Sequence, residues 1–567
     1  MPAVRRGAAV VVTAVALLAP AAVAGPAAAA PRVDAAPIVV SVVVPITATP
    51  GDDGMLDAAA LEIATSPAGT LTRELDELLA TSATIALDPM IPASIRVLGS
   101  AAPASALDWL DRLAAAPNEV FLLAYADADL TPLARADSLD LAAPVDFGFA
   151  IDPAAFGPAQ TAVPTESASP TPTPDPTGTP GPGQDDPADD DPPPLPTTEQ
   201  LLAWAGALPG IAWPSDGSVT AGDLAGYTDA GYTSLLLSSA NVSETAGALA
   251  GLGELSGIVA DSAASDLFAE ASTSIDDATR EQAVTRLGAA LDGLAAAHPG
   301  RSVVLTLDRR SAFSFYGLEE TFAAIAGRSS TVMAGLSAVL AGPAEPASVV
   351  DGADGEPVAT APALTTAVRA EAEFATILSD PALLTAPRRL QLLALLAVQR
   401  GAAPEWPTEA RAFLDRSADI LSSVEIVDTG SLFVASSSTS SVVRVSNALE
   451  FPVTVRIDAR PLRPLLQIDS PAEVTVEPGS SKTVRLDAQA ITNGEVVVEV
   501  RLSSPSTGTP IGVKRDFDAE LQAQWETVGI VVGAVVALVF AAGIARNVIV
   551  RRRRAAAARA AGEQAAE

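Results

Sequence analysis

An uncharged run from Val528 to Ala545 (VGIVVGAVVALVFAAGIA) is followed at once by Arg546 and then by Arg551–Arg554. Eighteen residues at the rise of an α-helix cover about 27 Å, close to the thickness of a bilayer's hydrocarbon core. The basic cluster just beyond is the kind of flank that is retained in the cytoplasm. The run predicts one transmembrane helix over 528–545. A cytoplasmic Arg-rich tail over 546–567 follows, and nearly all of the chain before the span lies outside the cell.

The N-terminus is consistent with that topology. Arg5 and Arg6 precede an apolar stretch, Gly7 to Ala19, and Ala22-Val23-Ala24 fits the small-x-small rule of a signal-peptide cleavage site. Residues 1–24 are the expected signal peptide, with Ala28-Ala29-Ala30 as the second choice of site. An uncleaved anchor there would export the following domain just as well.

Charge and composition narrow the function classes. Cysteine is absent, so there are no disulfides, thiolate metal sites or cysteine nucleophiles. The net charge is −34. Setting aside the six Arg and two Glu after the span, and Arg5 and Arg6, leaves the exported part at −40. Such a surface repels nucleic acid, so no nucleic-acid partner is expected. The single histidine, His298, sits in a helix-ending His-Pro-Gly turn. No His-x-x-x-His or His-Glu-x-x-His pattern exists, and a Ser–His–Asp triad has no well-placed base. The sequence therefore predicts no metal and no cofactor.

Chain length favours several domains. Short apolar runs at Ile38–Ile46, Thr84–Leu87, Val120–Tyr125, Val145–Ile151, Ile211–Trp213, Ser234–Leu237, Gly257–Ala260 and Ser302–Leu307 alternate with helical periodicity. Continuous apolar strands separated by helices predict a mostly parallel sheet covered on both faces. Eight of them in this order suggest a (β/α)8 barrel-like domain over 36–423, ending in helices from about Ala370 to Ser423; an open doubly wound sheet is the alternative. Within it, residues 158–196 hold thirteen prolines, seven Asp or Glu and no Lys or Arg. That composition cannot bury a core and reads as a disordered insertion. From about Val424 the pattern turns β-rich, with Glu477-Pro478-Gly479 and Asn493-Gly494 turns and clear alternation in Val453-Thr-Val-Arg-Ile. An immunoglobulin-like sandwich without disulfides is expected over 424–522.

In a parallel α/β domain, chemistry gathers at the carboxyl ends of the strands. The polar residues there are Asp88, Asp127, Asp129, Asp152, Trp213, Asp216, Asn241, Asp261, Asp308, Arg309 and Arg310. The candidates for catalysis are Asp88, Asp127, Asp129 and Asp308; Trp213, Asp216, Asn241 and Arg309 are candidates for binding. Converging carboxylates beside an aromatic ring are what a glycosidase uses, one as acid and one as nucleophile or base. An Asp after a strand also caps the next helix. Adjacent strands predict that Asp88, Asp127 and Asp129 share one cleft.

The motifs Thr84-Ile-Ala-Leu-Asp-Pro, Asn118-Glu-Val-Phe-Leu-Leu-Ala-Tyr-Ala-Asp-Ala-Asp, and Val443-Arg-Val-Ser-Asn followed by Pro452-Val-Thr-Val carry a resemblance. The chain resembles an uncharacterised family of actinobacterial single-pass envelope proteins. These have a signal peptide, a large exported α/β domain, an immunoglobulin-like domain and a C-terminal span. The resemblance implies a cell-envelope role, by association with the lipid II flippase gene, and no established activity. The barrel part is also distantly similar to glycoside hydrolase and polysaccharide deacetylase barrels, but it lacks the metal histidines of the latter. The leading expectation is a membrane-anchored binding or scaffold module whose partners are cell-wall polysaccharide or envelope proteins. The competing one is a carbohydrate-active hydrolase that works with Asp carboxylates.

Overall fold

The computed structural model describes residues 36–157, 194–243, 247–309, 315–350, 352, 354–427, 433–436, 439–469, 471–522 and 525–563. The expected signal peptide, most of the Pro/Asp-rich segment and Arg310 lie outside the described residues.

The first sheet is built from β1 (Ile38–Ile46), β2 (Thr84–Leu87), β3 (Val120–Leu122), β4 (Ile211–Ala212), β5 (Ser234–Ser238), β6 (Leu249–Leu252), β7 (Leu255–Ala260), β8 (Ser302–Thr306), β9 (Thr331–Met333) and β10 (Glu345–Pro346). In β1 both faces are covered, which is why it reads as IVVSVVVPI with no polar alternation. It lies between β2 and β8, both parallel, with Val43 opposite Thr84 and Val39 opposite Ser302. The parallel series continues through β2–β3, β4–β5, β5–β7 and β7–β8. A parallel bridge between Phe121 and Leu208, with Leu208 N donating to Val120 O at 2.8 Å, joins β3 to the approach of β4. The sheet thus curls into a barrel-like form with helices outside it. Residues on both sides of the Pro/Asp-rich segment belong to this one sheet.

Three strands of this sheet escaped the sequence reading: β6, β9 and β10. The first is antiparallel to β7 through a two-residue Gly253-Glu254 turn. Conversely, Val145–Ile151 is not a strand. It forms a 3-10 turn at Gly148–Ala150, and Phe147 packs on Tyr125 with ring centroids 5.9 Å apart. The Asp146 carboxylate accepts from Gly148 N at 3.1 Å, a local bond that competes with strand pairing.

Four helices follow: Glu356–Phe374, Ala382–Leu395, Val398–Gly401 and Trp406–Ser422. They serve two cores. Leu364, Val368, Leu390, Leu392–Leu396, Trp406 and Phe413 join the barrel core, whereas Phe374, Leu378, Leu384 and Ile420 join that of the next domain. A buried ion pair staples them: Arg388 donates to both oxygens of Glu371 at 2.9–3.1 Å and lies 3.8 Å from the Phe413 ring centroid.

The second domain has antiparallel pairing throughout except for one parallel strand pair. It comprises β11 (Val424–Val427), β12 (Phe433–Ser436), β13 (Thr439–Asn447), β14 (Val453–Pro461), β15 (Leu466–Ile468), β16 (Ala472–Val476), β17 (Ser480–Ala490), β18 (Gly494–Ser503) and β19 (Pro510–Gln522). Sheet β11-β13-β17-β15 faces sheet β12-β19-β18-β14-β16, and β12 runs parallel to β19. Val453, Val455 and Ile457 point inward with Val498, Val500 and Leu502, as their alternation requires. Asn447, buried at the end of β13, donates to the carbonyls of Phe451 (2.8 Å) and Val476 (3.1 Å) and so fixes the turn into β14.

Last comes the helix Trp525–Glu563, 39 residues long. Over Gly529–Arg559 it is long and apolar enough to cross a membrane, and none of its most apolar stretch is buried against the rest of the chain.

Candidate functional site

Parallel strands bring their C-terminal ends to one rim, and four of the candidates meet there: Asp88 after β2, Asp127 and Asp129 after β3, and Arg309 after β8. Asp88 has no exposed surface. Its Oδ1 accepts from the N–H groups of Met90 and Ala126, both at 2.9 Å, and its Oδ2 has no hydrogen-bond partner. Burial pushes the Asp88 carboxyl well above the usual range; the Met90 N–H opposes this and the Asp127 charge reinforces it. The backbone around the site is strained, because Ala126 and Asp127 sit consecutively at φ 58° and 49°. Non-glycine residues reach that left-handed region only when their surroundings over-determine it. Here the Asp88 carboxylate receives the Ala126 N–H, and the Tyr125 hydroxyl donates to Gly54 O at 3.0 Å.

Asp127 turns its carboxylate to Arg309, and both side chains are nearly inaccessible. Burial raises Asp127 to about 6 against the pull of Arg309. Arg309 also donates to Trp213 O and, at 3.0 Å, to Pro214 O, while its guanidinium carbon lies 4.3 Å from the Trp213 ring centroid. Trp213 in turn packs on Phe121 at 6.5 Å.

Asp129 feels the same charges but faces elsewhere. Its Oδ1 accepts from Thr131 N (3.0 Å) and Ser215 N (3.3 Å), and burial raises its carboxyl. It lines a cavity of about 170 Å³ with Asp216, Ser218 and Leu396. The expected three-carboxylate cleft is therefore split: Asp88 and Asp127 cluster at the strained turn, and Asp129 faces the helices. Asn241 stands apart, donating to Val219 O (3.1 Å) and Val350 O (2.6 Å). Asp308 is half-buried beside Arg309 in the chain. Asp152 and Asp261 are caps, accepting from Ala154 N and Ala264 N.

The rim is roofed by the helical segment. Asp129 N donates to Leu396 O at 2.7 Å, Ala128 bridges to Ala397, and Leu390 backbone stands against Gly54, whose φ of 82° leaves no room for a side chain. One group missed by sequence reasoning lies at the edge of this roof. Glu74, half-buried on helix Thr70–Leu79, lines a cavity of about 300 Å³ with Thr47, Thr70, Arg309 and Gln399. Burial raises it to about 8, opposed by Arg73. The signal was in the periodicity, since Glu74 falls on the stripe of Leu71, Leu75 and Leu78 that the helix buries. A separate cavity of about 400 Å³ is lined by Asp261, His298 and Arg301.

A family model described as a family of unknown function (DUF6049) matches residues 7–560. The chain belongs to that family. No curated protein matches it. Among solved structures, it is similar to the alpha-amylase AmyC from Thermotoga maritima at 9% identity, over 68% of this chain and 93% of that one, with a TM-score of 0.41. A Caenorhabditis elegans MSP family member is similar at 10% identity over 18% of this chain and 98% of its own, TM-score 0.14. The Escherichia coli chaperone DraB is similar at 14% identity, over 18% and 53%, TM-score 0.13. None of these likenesses bears on activity.

What the DUF6049 rim can do chemically follows from its own bonds. A general acid or nucleophile must reach a substrate atom, within about 3 Å or through one water. Asp127 reaches Arg309 instead, Asp88 reaches backbone N–H groups, and the Leu390–Leu396 segment packs on Gly54 and Asp129 beside them. Among the described residues no group of three or more His, Cys, Asp or Glu is arranged to hold a metal ion.

Proposed function

We propose that this chain is a membrane-tethered binding or scaffold module of the cell envelope, exported except for its Arg-rich tail. The observation that carries this reading is the buried Asp127–Arg309 pair under the helical roof. It spends the two best-placed charged groups of the rim on each other. The same helices pack on the sandwich, so barrel, roof and sandwich share continuous apolar packing. The orientation rests on charge: Arg546 and Arg551–Arg554 flank one side of the apolar run and only Glu526 the other.

The test uses the full chain in detergent, incubated with purified cell-wall polysaccharide. Retention on the polymer without new reducing ends is expected, and Asp127→Asn should leave retention unchanged. Appearance of reducing ends that Asp127→Asn abolishes would establish the hydrolase instead. One observation favours that second reading. Glu74, raised to about 8, would be protonated at neutral pH as a general acid must be. A hydrolase centred there would lose its activity in Glu74→Gln.

A further inference from the structure

We propose that Arg551–Arg554 form a collar that gathers anionic phospholipid headgroups around the inner end of the span. The inference rests on the membrane reading above and adds the lipid class. Helix Trp525–Glu563 does not stop where the apolar run stops, and Arg551–Arg554 and Arg559 are helical and exposed. Successive helical residues are about 100° apart, so four in a row point to all sides of the helix within about 5 Å of axial length. From Gly529 to Arg551 the axis advances about 33 Å. With the apolar run Val528–Ala545 filling the hydrocarbon core, Arg551 stands about 9 Å beyond its edge, so the four guanidiniums lie in the headgroup layer and can reach back to the phosphates. Arg546, about 8 Å short of the collar, is within snorkelling reach of the same layer.

The helix supplies no counter-charge of its own. A carboxylate three or four residues away could pair with these arginines. The neighbours at those spacings outside the cluster are Asn547, Val548, Ile549, Val550 and Ala555–Ala558, and no Asp or Glu occurs between Glu526 and Glu563. The guanidinium fork matches the two oxygens of a phosphate, and juxtamembrane basic residues are drawn to anionic leaflets. The methyl side chains of Ala555–Ala558 leave space beside the collar for headgroups.

The experiment reconstitutes the full chain into nanodiscs of phosphatidylcholine with about one phosphatidylglycerol in ten, and measures the lipids retained by the protein after stripping in mild detergent. The wild type should enrich phosphatidylglycerol at least about threefold over bulk. The variant Arg551→Gln, Arg552→Gln, Arg553→Gln, Arg554→Gln should carry bulk composition. Inorganic phosphate added at constant ionic strength should leave the enrichment in place. Loss of enrichment to phosphate would show a site for the free anion and overturn the lipid assignment, as would equal composition for wild type and variant. Extraction of the wild type from natural membranes by alkaline carbonate would sink the membrane reading and the collar together; retention without enrichment would sink the collar alone.

Discussion

Arg309 lies over the face of Trp213, guanidinium carbon 4.3 Å from the ring centroid, while the same side chain holds Asp127. A single cation thus joins the ends of β3, β4 and β8 across the barrel rim. Its charge is matched by one carboxylate, two carbonyls and a π face, all buried. The rim is held together by the groups that a catalytic barrel would leave open to substrate.

Acidification should stabilise the part of the chain before the C-terminal helix. Glu74 is raised to about 8 and Asp127 to about 6, and Asp88 and Asp129 are raised as well, burial leading in each. A carboxyl whose folded value exceeds its unfolded value binds its proton more tightly when folded, so stability increases as pH falls from about 8 toward the ordinary carboxylate range near 4. Below that, Asp276, Asp292 and Glu499, all lowered by hydrogen bonds, are protonated and their contribution is lost. Thermal unfolding should give a higher Tm at pH 5.5 than at pH 7.5, by roughly 3–6 °C. A Tm that falls steadily over that interval would contradict the buried-acid assignment.

Asp88→Asn should raise stability at neutral pH and flatten the acid side of that profile. The amide keeps an oxygen for the Met90 and Ala126 N–H groups and removes the cost of burying a charge. Asp88→Ala removes the acceptor as well. It should destabilise by about 1–3 kcal/mol, because two buried N–H groups lose their partner and the left-handed Ala126–Asp127 turn loses its anchor. Chemical denaturation of both variants separates the two effects.

Arg388→Met should loosen the roof. It leaves the Glu371 carboxylate, about 1% exposed, without its bidentate partner and removes the contact to Phe413. A loss of about 3–5 kcal/mol is expected. Limited proteolysis should then cut within 356–423 before it cuts either sheet; unchanged protection would show that the pair does not fasten the helices.

Much of this was legible in the sequence, and the limits have physical causes. β1 and β2 were readable to the residue because both faces are buried and the apolar runs are continuous. Val145–Ile151 misled because an apolar run predicts burial and not pairing, and Phe147 is buried without a ladder. β6 was missed although Gly253 stands at φ 73° in a two-residue turn of the kind that marks hairpins. The gathering of Asp88, Asp127, Asp129 and Arg309 on one rim followed from parallel order alone. The pairing did not. Asp127 and Arg309 are 182 residues apart, and no local pattern says which carboxylate an arginine will choose. Nor does any spacing announce that helices from 356 onward cover the rim, since their apolar stripes would fit any core.

The most direct test of a closed, structural rim is a double-mutant cycle on Asp127→Asn and Arg309→Met, read by unfolding free energy with retention on cell-wall polymer as the second readout. The account predicts that Arg309→Met alone costs about 3–5 kcal/mol, that the double variant recovers most of it, and that the double variant still binds the polymer. A coupling near zero would contradict the account, as would a stable double variant that has lost a measurable hydrolytic activity of the wild type.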